Sequence, residues 1–180
     1  MDGQILTPWL YRRWSFSGPA ELYPAVLSRL RGSPARADEL ASSMAQAQLR
    51  WTPESGWSVQ RHIAHMADLE TLLTQRLDAY EAGVHLLPAA DMSNARTVEA
   101  DHDDALIADV LARFRDVRAK SMARLAVYPP DFFARSAWHE RLGVQKRAVD
   151  TCQFFADHDD HHLALAHAVS AMATGTEPRP

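Results

Sequence analysis

Apolar residues recur at intervals of three and four in four stretches of the chain, and this spacing predicts four amphipathic helices. The first begins at Ser33-Pro34, where serine can cap the helix and proline fits the first helical position. Ser58 and Asp101 are residue types that favour the same capping position in the second and third helices. The predicted helices cover 33–49, 58–83, 101 to the Pro129-Pro130 pair, and 144–171.

In the rest of the chain the apolar residues have no regular spacing. The irregular segments are an arm at 1–18 packed on the body, a short apolar turn at 22–30, connections at 84–100 and 131–143, and a flexible tail at 172–180. Pro24 and Gly32 interrupt the apolar turn and separate it from the first helix. No segment predicts a strand convincingly. We therefore expect a single all-α domain over residues 1–180, a four-helix bundle with long connections.

Composition narrows the classes of protein to consider. The chain has 180 residues, 47% of them apolar, and a formal net charge of −4, which suits one globular domain with its own core. No stretch approaches the roughly 20 uninterrupted apolar residues of a membrane helix, and no basic patch for nucleic acid is evident. The single cysteine, Cys152, cannot form an intramolecular disulfide, and no secretion signal is recognisable, so we expect a cytoplasmic protein.

Histidine is the residue type that points to a function. Nine are present, and four of them lie between positions 158 and 167 on the last predicted helix. His158 and His162 are four positions apart within the apolar stripe, so their rings lie one above the other, whereas His161 points to the outer face. Two such imidazoles can hold one divalent cation. The alternative is a pair of core histidines satisfied by other polar groups.

A further imidazole is available on the second predicted helix. His62 lies nearer the centre of the apolar stripe and His65 lies at its margin, so periodicity does not decide between them. One of these rings, together with the pair on the last helix, would supply three neutral ligands. Such a set leaves coordination positions open, as in catalytic rather than structural zinc sites.

Two segments resemble the signatures of the DinB-like (DinB/YfiT-like) superfamily of metal-binding four-helix bundles. They are GWSVQRHIAHMADLE on the second predicted helix and FFADHDDHHLALAH on the last, and the resemblance extends over about 35–171. The first signature places a tryptophan, a serine, a histidine and an aspartate at fixed spacing, matched by Trp57, Ser58, His65 and Asp68, with Met66 where leucine is usual. The second signature, H-x-x-x-H, matches His158 and His162. The resemblance therefore implies that His65, His158 and His162 bind the metal.

The same resemblance implies a class of chemistry. The ion would be divalent, zinc or nickel in the first place, with iron or another metal as alternatives. It would activate a thiol or a water, as in a thiol S-transferase or a hydrolase. The implied partners are a small-molecule substrate, a low-molecular-weight thiol and a second copy of the chain in a homodimer. The alternative is a non-catalytic, stress-related protein in which the metal clamps two helices.

Several other side chains carry expectations. The candidate general bases for hydrolysis are three carboxylates on predicted helices: Asp68, Glu70 and Asp159. The arginines expected on the solvated face of the third helix are Arg113, Arg115 and Arg118. Cys152 lies in an apolar stripe and is expected to be a core residue. Residues 139–143 resemble the family's H-P-x-x-G loop, but Glu140 replaces the proline, which leaves the contribution of His139 open.

Overall fold

The computed structural model describes residues 6–175, so residues 1–5 of the predicted arm and 176–180 of the predicted tail lie outside the described part. The helices are α1 (Tyr23–Ser42), α2 (Gln46–Arg50), α3 (Val59–Asp68), α4 (Glu70–Glu81), α5 (Ala95–Glu99), α6 (Ile107–Ala126) and α7 (Ala148–Ala173). The strands are β1 (Ser136–His139) and β2 (Val144–Arg147), and short 3-10 turns occupy Trp9–Tyr11, Ala20–Leu22, Pro130–Ala134 and Glu140–Leu142.

The long helices form the expected bundle. Helices α1 and α3 each pack against both α6 and α7, and α4 follows α3 after one residue and packs against the same two helices. The all-α prediction is confirmed, with a small two-stranded sheet added. Within residues 6–175, no helix has both the length and the apolar character needed to cross a bilayer.

The first helix begins at Tyr23 rather than at Ser33, which corrects the prediction of a separate apolar turn. Pro24 lies in its first turn, where a missing N–H leaves no hydrogen bond unmade, so this proline starts the helix instead of breaking it. The helix ends at Ser42, and the remainder of the predicted range contains the separate short helix α2.

Pro34 lies inside α1 instead of at its start. A proline there cannot donate to the carbonyl four residues earlier, which belongs to Leu30. The buried guanidinium of Arg118 donates to that carbonyl at 2.7 Å through Nη1. A tertiary contact thus replaces the missing helical bond, and the helix passes through the proline.

The second and third predicted helices also differ in extent. Leu69 divides the second helix into α3 and α4, although the Ser58 hydroxyl caps α3 as expected by accepting a hydrogen bond from the Arg61 N–H at 3.0 Å. Helix α6 begins at Ile107, because the segment after Asp101 forms a turn before it. The short helix α5 lies within the predicted connection.

A β-hairpin precedes the last helix, where no strand was expected. Strands β1 and β2 pair antiparallel, with His139 opposite Val144, and Gly143 adopts the left-handed conformation between them. Four-residue strands are too short to show a clear alternation of polar and apolar positions. As a result α7 begins at Ala148, later than predicted, and it continues to Ala173, into the predicted tail.

The bundle interior contains two apolar clusters and a group of buried charged side chains around Arg118. One cluster includes Leu30, and the other includes Phe114. Arg118 touches both, since it donates to the Leu30 carbonyl and its guanidinium lies 5.2 Å from the Phe114 ring centroid. Its Nε donates to Glu70 and its Nη1 to Asp159, both at 2.7 Å. Arg118 is 2% exposed, so the expectation of a solvated position was wrong.

Candidate metal centre

The three predicted ligands lie together in the bundle interior. His65 is on α3, and His158 and His162 lie one turn apart on α7, the helix against which α3 packs. One nitrogen of each ring lies within 4.8 Å of the others, and all three side chains are buried. The Nε2 atoms of His158 and His162 are 3.1 Å apart. Two nitrogens bound to one ion at 2.0–2.1 Å are separated by about 3 Å, so this spacing suits a shared cation.

The orientation of the His65 ring is fixed by a hydroxyl. Nδ1 of His65 lies 2.9 Å from Oγ1 of Thr97 on α5, and that hydroxyl lies 2.8 Å from Oδ2 of Asp68. The carboxylate can only accept, so the Thr97 hydroxyl donates to it and accepts from His65 Nδ1–H. This arrangement places the proton of His65 on Nδ1 and leaves the lone pair of Nε2 available to a metal.

Asp68 is held by cations as well as by Thr97. The Nε2 atom of His102 lies 2.9 Å from Oδ2, Arg113 donates to Oδ1, and Arg96 lies 3.6 Å from the same oxygen. Burial alone would raise the pKa of Asp68, but the hydrogen bonds from Arg113, Thr97 and His102 outweigh it and lower the pKa. The ionised carboxylate holds the Thr97 hydroxyl and through it orients His65, and its lowered pKa makes it a weak base.

His62, the alternative that periodicity left open, faces the other side of the cluster. Its Nδ1 lies 2.9 Å from Nδ1 of His162, the nitrogen remote from His158. His162 can therefore donate through Nδ1 to His62 while its Nε2 stays free. His62 therefore contacts the back of His162 and orients that ring. His65 is the ring that lies beside the nitrogens of the α7 pair.

Burial keeps the cluster uncharged. It lowers the pKa values of His62 and His65 to about 4, and it lowers those of His158 and His162 well below the usual range, with neighbouring histidines adding to the effect. Neutral imidazole is the form that binds metals. In addition, Nδ1 of His158 is buried with no hydrogen-bond partner among residues 6–175.

The segment before α1 covers one side of the cluster. The Trp9 ring lies 4.9 Å from the His158 ring and 5.5 Å from the His161 ring, centroid to centroid, and Arg12 Nη2 donates to Nδ1 of His161 at 3.0 Å. His161 does lie off the metal-facing side of α7, but this cover leaves it 6% exposed rather than solvated. Sequence reasoning missed both Trp9 and Thr97 as site residues, because neither lies in a periodic segment or in a recognised motif.

A cavity of about 180 Å³ opens beside the three rings, all of which contribute to its wall. Aromatic side chains contributed by Trp9, Trp57 and Phe154 form much of the remaining wall, together with Arg76 and Arg141. The Trp57 ring lies 4.9 Å from that of His65, which is close enough to limit its movement. The cluster therefore adjoins a space for a small ligand.

Of the remaining candidates, only His139 lines the cavity within the described residues. Glu70 and Asp159 bind Arg118 inside the bundle and do not line this cavity. Cys152 is fully buried, and burial raises the pKa of its thiol to about 12, which agrees with a core role. His139 does line the cavity, and Arg76 approaches it there.

Comparisons with known proteins agree with this architecture. A family model described as the DinB superfamily matches residues 29–166. Among solved structures, YfiT from Bacillus subtilis is similar to this chain, with a TM-score of 0.76 and 18% sequence identity over 91% of this chain and 94% of that chain. That protein is described as "a probable metal-dependent hydrolase with an unusual four-helix bundle topology". At this identity the likeness shows the fold alone, and no curated protein matches the chain.

Proposed function

This chain belongs to the DinB superfamily, and we propose that it is a metal-dependent enzyme whose ion is held by His65, His158 and His162. The observation that carries the proposal is the convergence of three neutral imidazoles on one wall of a cavity. Two functions remain within it, transfer of a thiol sulfur to a small substrate and hydrolysis.

The donor set fits a divalent transition metal. Three nitrogen ligands suit zinc or nickel, with iron as an alternative, and they are a poor match for magnesium or calcium, which prefer oxygen. The Thr97 and Asp68 contacts hold His65 in the required tautomer, and the contact with His62 does the same for His162. An ion bound there by neutral ligands keeps its positive charge and lowers the pKa of a coordinated thiol or water.

The cavity supports an enzyme over a metal clamp between helices. A clamp requires no access to the ion, and structural zinc sites are normally closed by four protein ligands. Here the three rings are shared between α3 and α7, but each of them also contributes to the wall of the cavity. A small molecule entering the cavity would therefore reach the ion.

The carboxylates favour a thiol over water as the nucleophile. Hydrolysis needs a general base near the attacking water. Asp68 is paired with donors that lower its pKa and make it a weak base, and Glu70 and Asp159 pair with Arg118. Both oxygens of Asp91 in the cavity wall accept hydrogen bonds, from backbone N–H groups and the Ser93 hydroxyl. A thiol ionises more readily than water and has less need of such a base.

Elemental analysis tests the metal site. Wild-type protein is expected to bind close to one ion per chain, whereas His162→Ala loses most of it. His167→Ala is the matched control, because His167 lies on the same helix and is exposed, and it should keep the wild-type content. Equal metal in the wild type and in His162→Ala would overturn the proposal.

The reaction is tested with the loaded protein. An electrophilic chromogenic substrate is assayed with and without a small thiol, beside an ester substrate assayed without thiol. Thiol-dependent turnover that disappears in His162→Ala supports S-transfer. Ester cleavage that needs no thiol and disappears in the same variant would identify a hydrolase instead.

A further inference from the structure

The cavity beside the three histidines has a buried guanidinium in its wall. Arg76 on α4 is 1% exposed, and its Nε donates to the Pro88 carbonyl at 3.1 Å. Its Nη2 lies 3.3 Å from Nε2 of His139, and its Nη1 has no hydrogen-bond partner among residues 6–175. Buried arginine nitrogens are normally satisfied, so an incomplete set of acceptors is unusual.

The His139 contact satisfies Arg76 only in part. The Leu142 N–H points to Nδ1 of His139 at 3.4 Å, while Arg76 points to Nε2. A neutral imidazole accepts at one nitrogen only. Burial, together with the nearby cations Lys146, Arg76 and Arg141, lowers the pKa of His139 to about 4, so the ring is neutral at physiological pH.

The charge of Arg76 is also unbalanced. Within the described part of the chain, no carboxylate lies within ion-pair distance of it, whereas Arg118 in the same bundle has two. Burial lowers the pKa of Arg76 to about 10, which still leaves the side chain protonated at pH 7. A buried cation without a counter-ion is costly, and the cost is removed when an anion binds.

The surroundings of Arg76 offer it no anion from the protein. Arg141 lies in the same cavity wall, and the fully buried Lys146 lies nearby, with its Nζ 3.8 Å from the Phe154 ring centroid. Asp91 is the acidic residue of the cavity wall, but its Oδ1 accepts from Ser93 and its Oδ2 from the Ala95 N–H. Burial lowers the pKa of Lys146 well below its usual range, so the positive charge of this side of the cavity rests on Arg76 and Arg141, while the three-histidine side is neutral.

We propose that Arg76 binds a carboxylate of the substrate, so that this enzyme acts on small carboxylic acids. The planar guanidinium fork matches a carboxylate, and the cavity volume of about 180 Å³ limits the ligand to a small molecule. The Pro88 contact ties Arg76 to the 84–94 segment, but it accounts for neither the charge of Arg76 nor its Nη1, which is unpaired within the described chain. The inference rests on the proposed function, since the carboxylate would orient the substrate beside the ion.

Benzoate and benzamide test the inference, because they have nearly the same shape and differ in charge. Their dissociation constants are measured by NMR titration of the tryptophan indole signals in the full-length protein, with zinc and with the zinc removed. Wild type is expected to prefer benzoate at least tenfold in both forms. Arg76→Gln is expected to reduce the preference below threefold with an unchanged zinc content, and Arg115→Gln, which removes the same charge from an exposed site, should keep it.

Each result is decisive. Equal binding of the two probes by wild type overturns the inference, and so does a preference that survives Arg76→Gln. A preference seen only with zinc would place the carboxylate on the ion and also overturn it. If Arg76→Gln does not fold, Arg76→Lys keeps the charge but loses the fork, and its benzoate affinity should fall while its benzamide affinity does not. If the proposed metal site is wrong, the wild type will not bind zinc. That result is independent of the benzoate preference, which is also measured in the metal-free chain.

Discussion

The Oγ1 atom of Thr97 lies 2.9 Å from Nδ1 of His65 and accepts the hydrogen bond that this Nδ1–H donates. Thr97→Val keeps the shape of the side chain and removes that acceptor. Loss of a group that orients a metal-binding histidine typically weakens metal affinity by about 10–100-fold. We expect a decrease of this size in the zinc association constant, measured by competition with a chromophoric chelator.

Thr71→Val is the matched control for this change. Thr71 is exposed, and its hydroxyl accepts from Arg96 rather than from a ring of the cluster. Its zinc affinity should equal that of the wild type. If Thr97→Val also binds zinc as tightly as the wild type, the hydroxyl does not orient His65.

His62 is expected to support the site from outside it. His62→Ala removes the acceptor of the His162 Nδ1–H but none of the three converging nitrogens. Zinc should still bind at one ion per chain, with an affinity reduced about 10–100-fold. Isothermal titration calorimetry beside His65→Ala distinguishes the roles, since His65→Ala should bind far more weakly. The opposite order would make His62 the ligand.

Acid is expected to destabilise the metal-free protein. Burial lowers the pKa values of His62 and His65 from 6.5 in the unfolded chain to about 4 in the folded one. Between these values the unfolded chain binds more protons, so the free energy of unfolding falls as the pH falls. Each histidine that is neutral only when folded contributes up to about 1.4 kcal/mol per pH unit.

Urea denaturation between pH 7.5 and 5 in the presence of a chelator measures this slope. His65→Gln removes one titrating group and should make the dependence on pH shallower, whereas His167→Ala should not. A free energy of unfolding that is constant over this range would show that the histidines are protonated in the folded chain as well.

The buried ion pairs of Arg118 with Glu70 and Asp159 are expected to be essential for stability. Its neighbours Asp159 and Glu70 raise the pKa of Arg118 although burial opposes the charge. Arg118→Met leaves both carboxylates buried without a counter-ion and removes the donor to the Leu30 carbonyl. The expected loss is about 3–5 kcal/mol in the free energy of unfolding. Arg115→Met, at an exposed ion pair with Asp38, should cost no more than about 1 kcal/mol.

Much of the bundle follows from helical periodicity, because the long helices α1 and α6 each bury one stripe of residues at intervals of three and four. The spacing of His158 and His162 within one stripe was sufficient to place their rings together. Choosing between His62 and His65 required the packing of α3 on α7, because both rings are buried on the same helix. The family signature points to His65, and the described geometry places that ring beside the α7 pair.

The positions that the sequence predicted wrongly or missed have a common physical cause. Arg118 looked solvated because its partners, Glu70 and Asp159, are on other helices and have no local spacing to it. Pro34 looked like a helix start because the donor that replaces its missing N–H is equally remote. Thr97 and Trp9 reach the cluster from segments without a period. Contacts between residues far apart in the chain decide all of these positions.

The short helix α5 is attached to the cluster through one hydroxyl, and this attachment has a thermodynamic consequence. By reciprocity, if the Thr97 contact strengthens ion binding, the bound ion strengthens the Thr97 contact by the same free energy. The 84–106 segment, which includes α5, should then be held more firmly when the ion is present. The amide hydrogens of the 84–106 segment would then exchange more slowly in the metal-loaded protein than in the metal-free protein. A purely local change at the three rings would leave that exchange untouched.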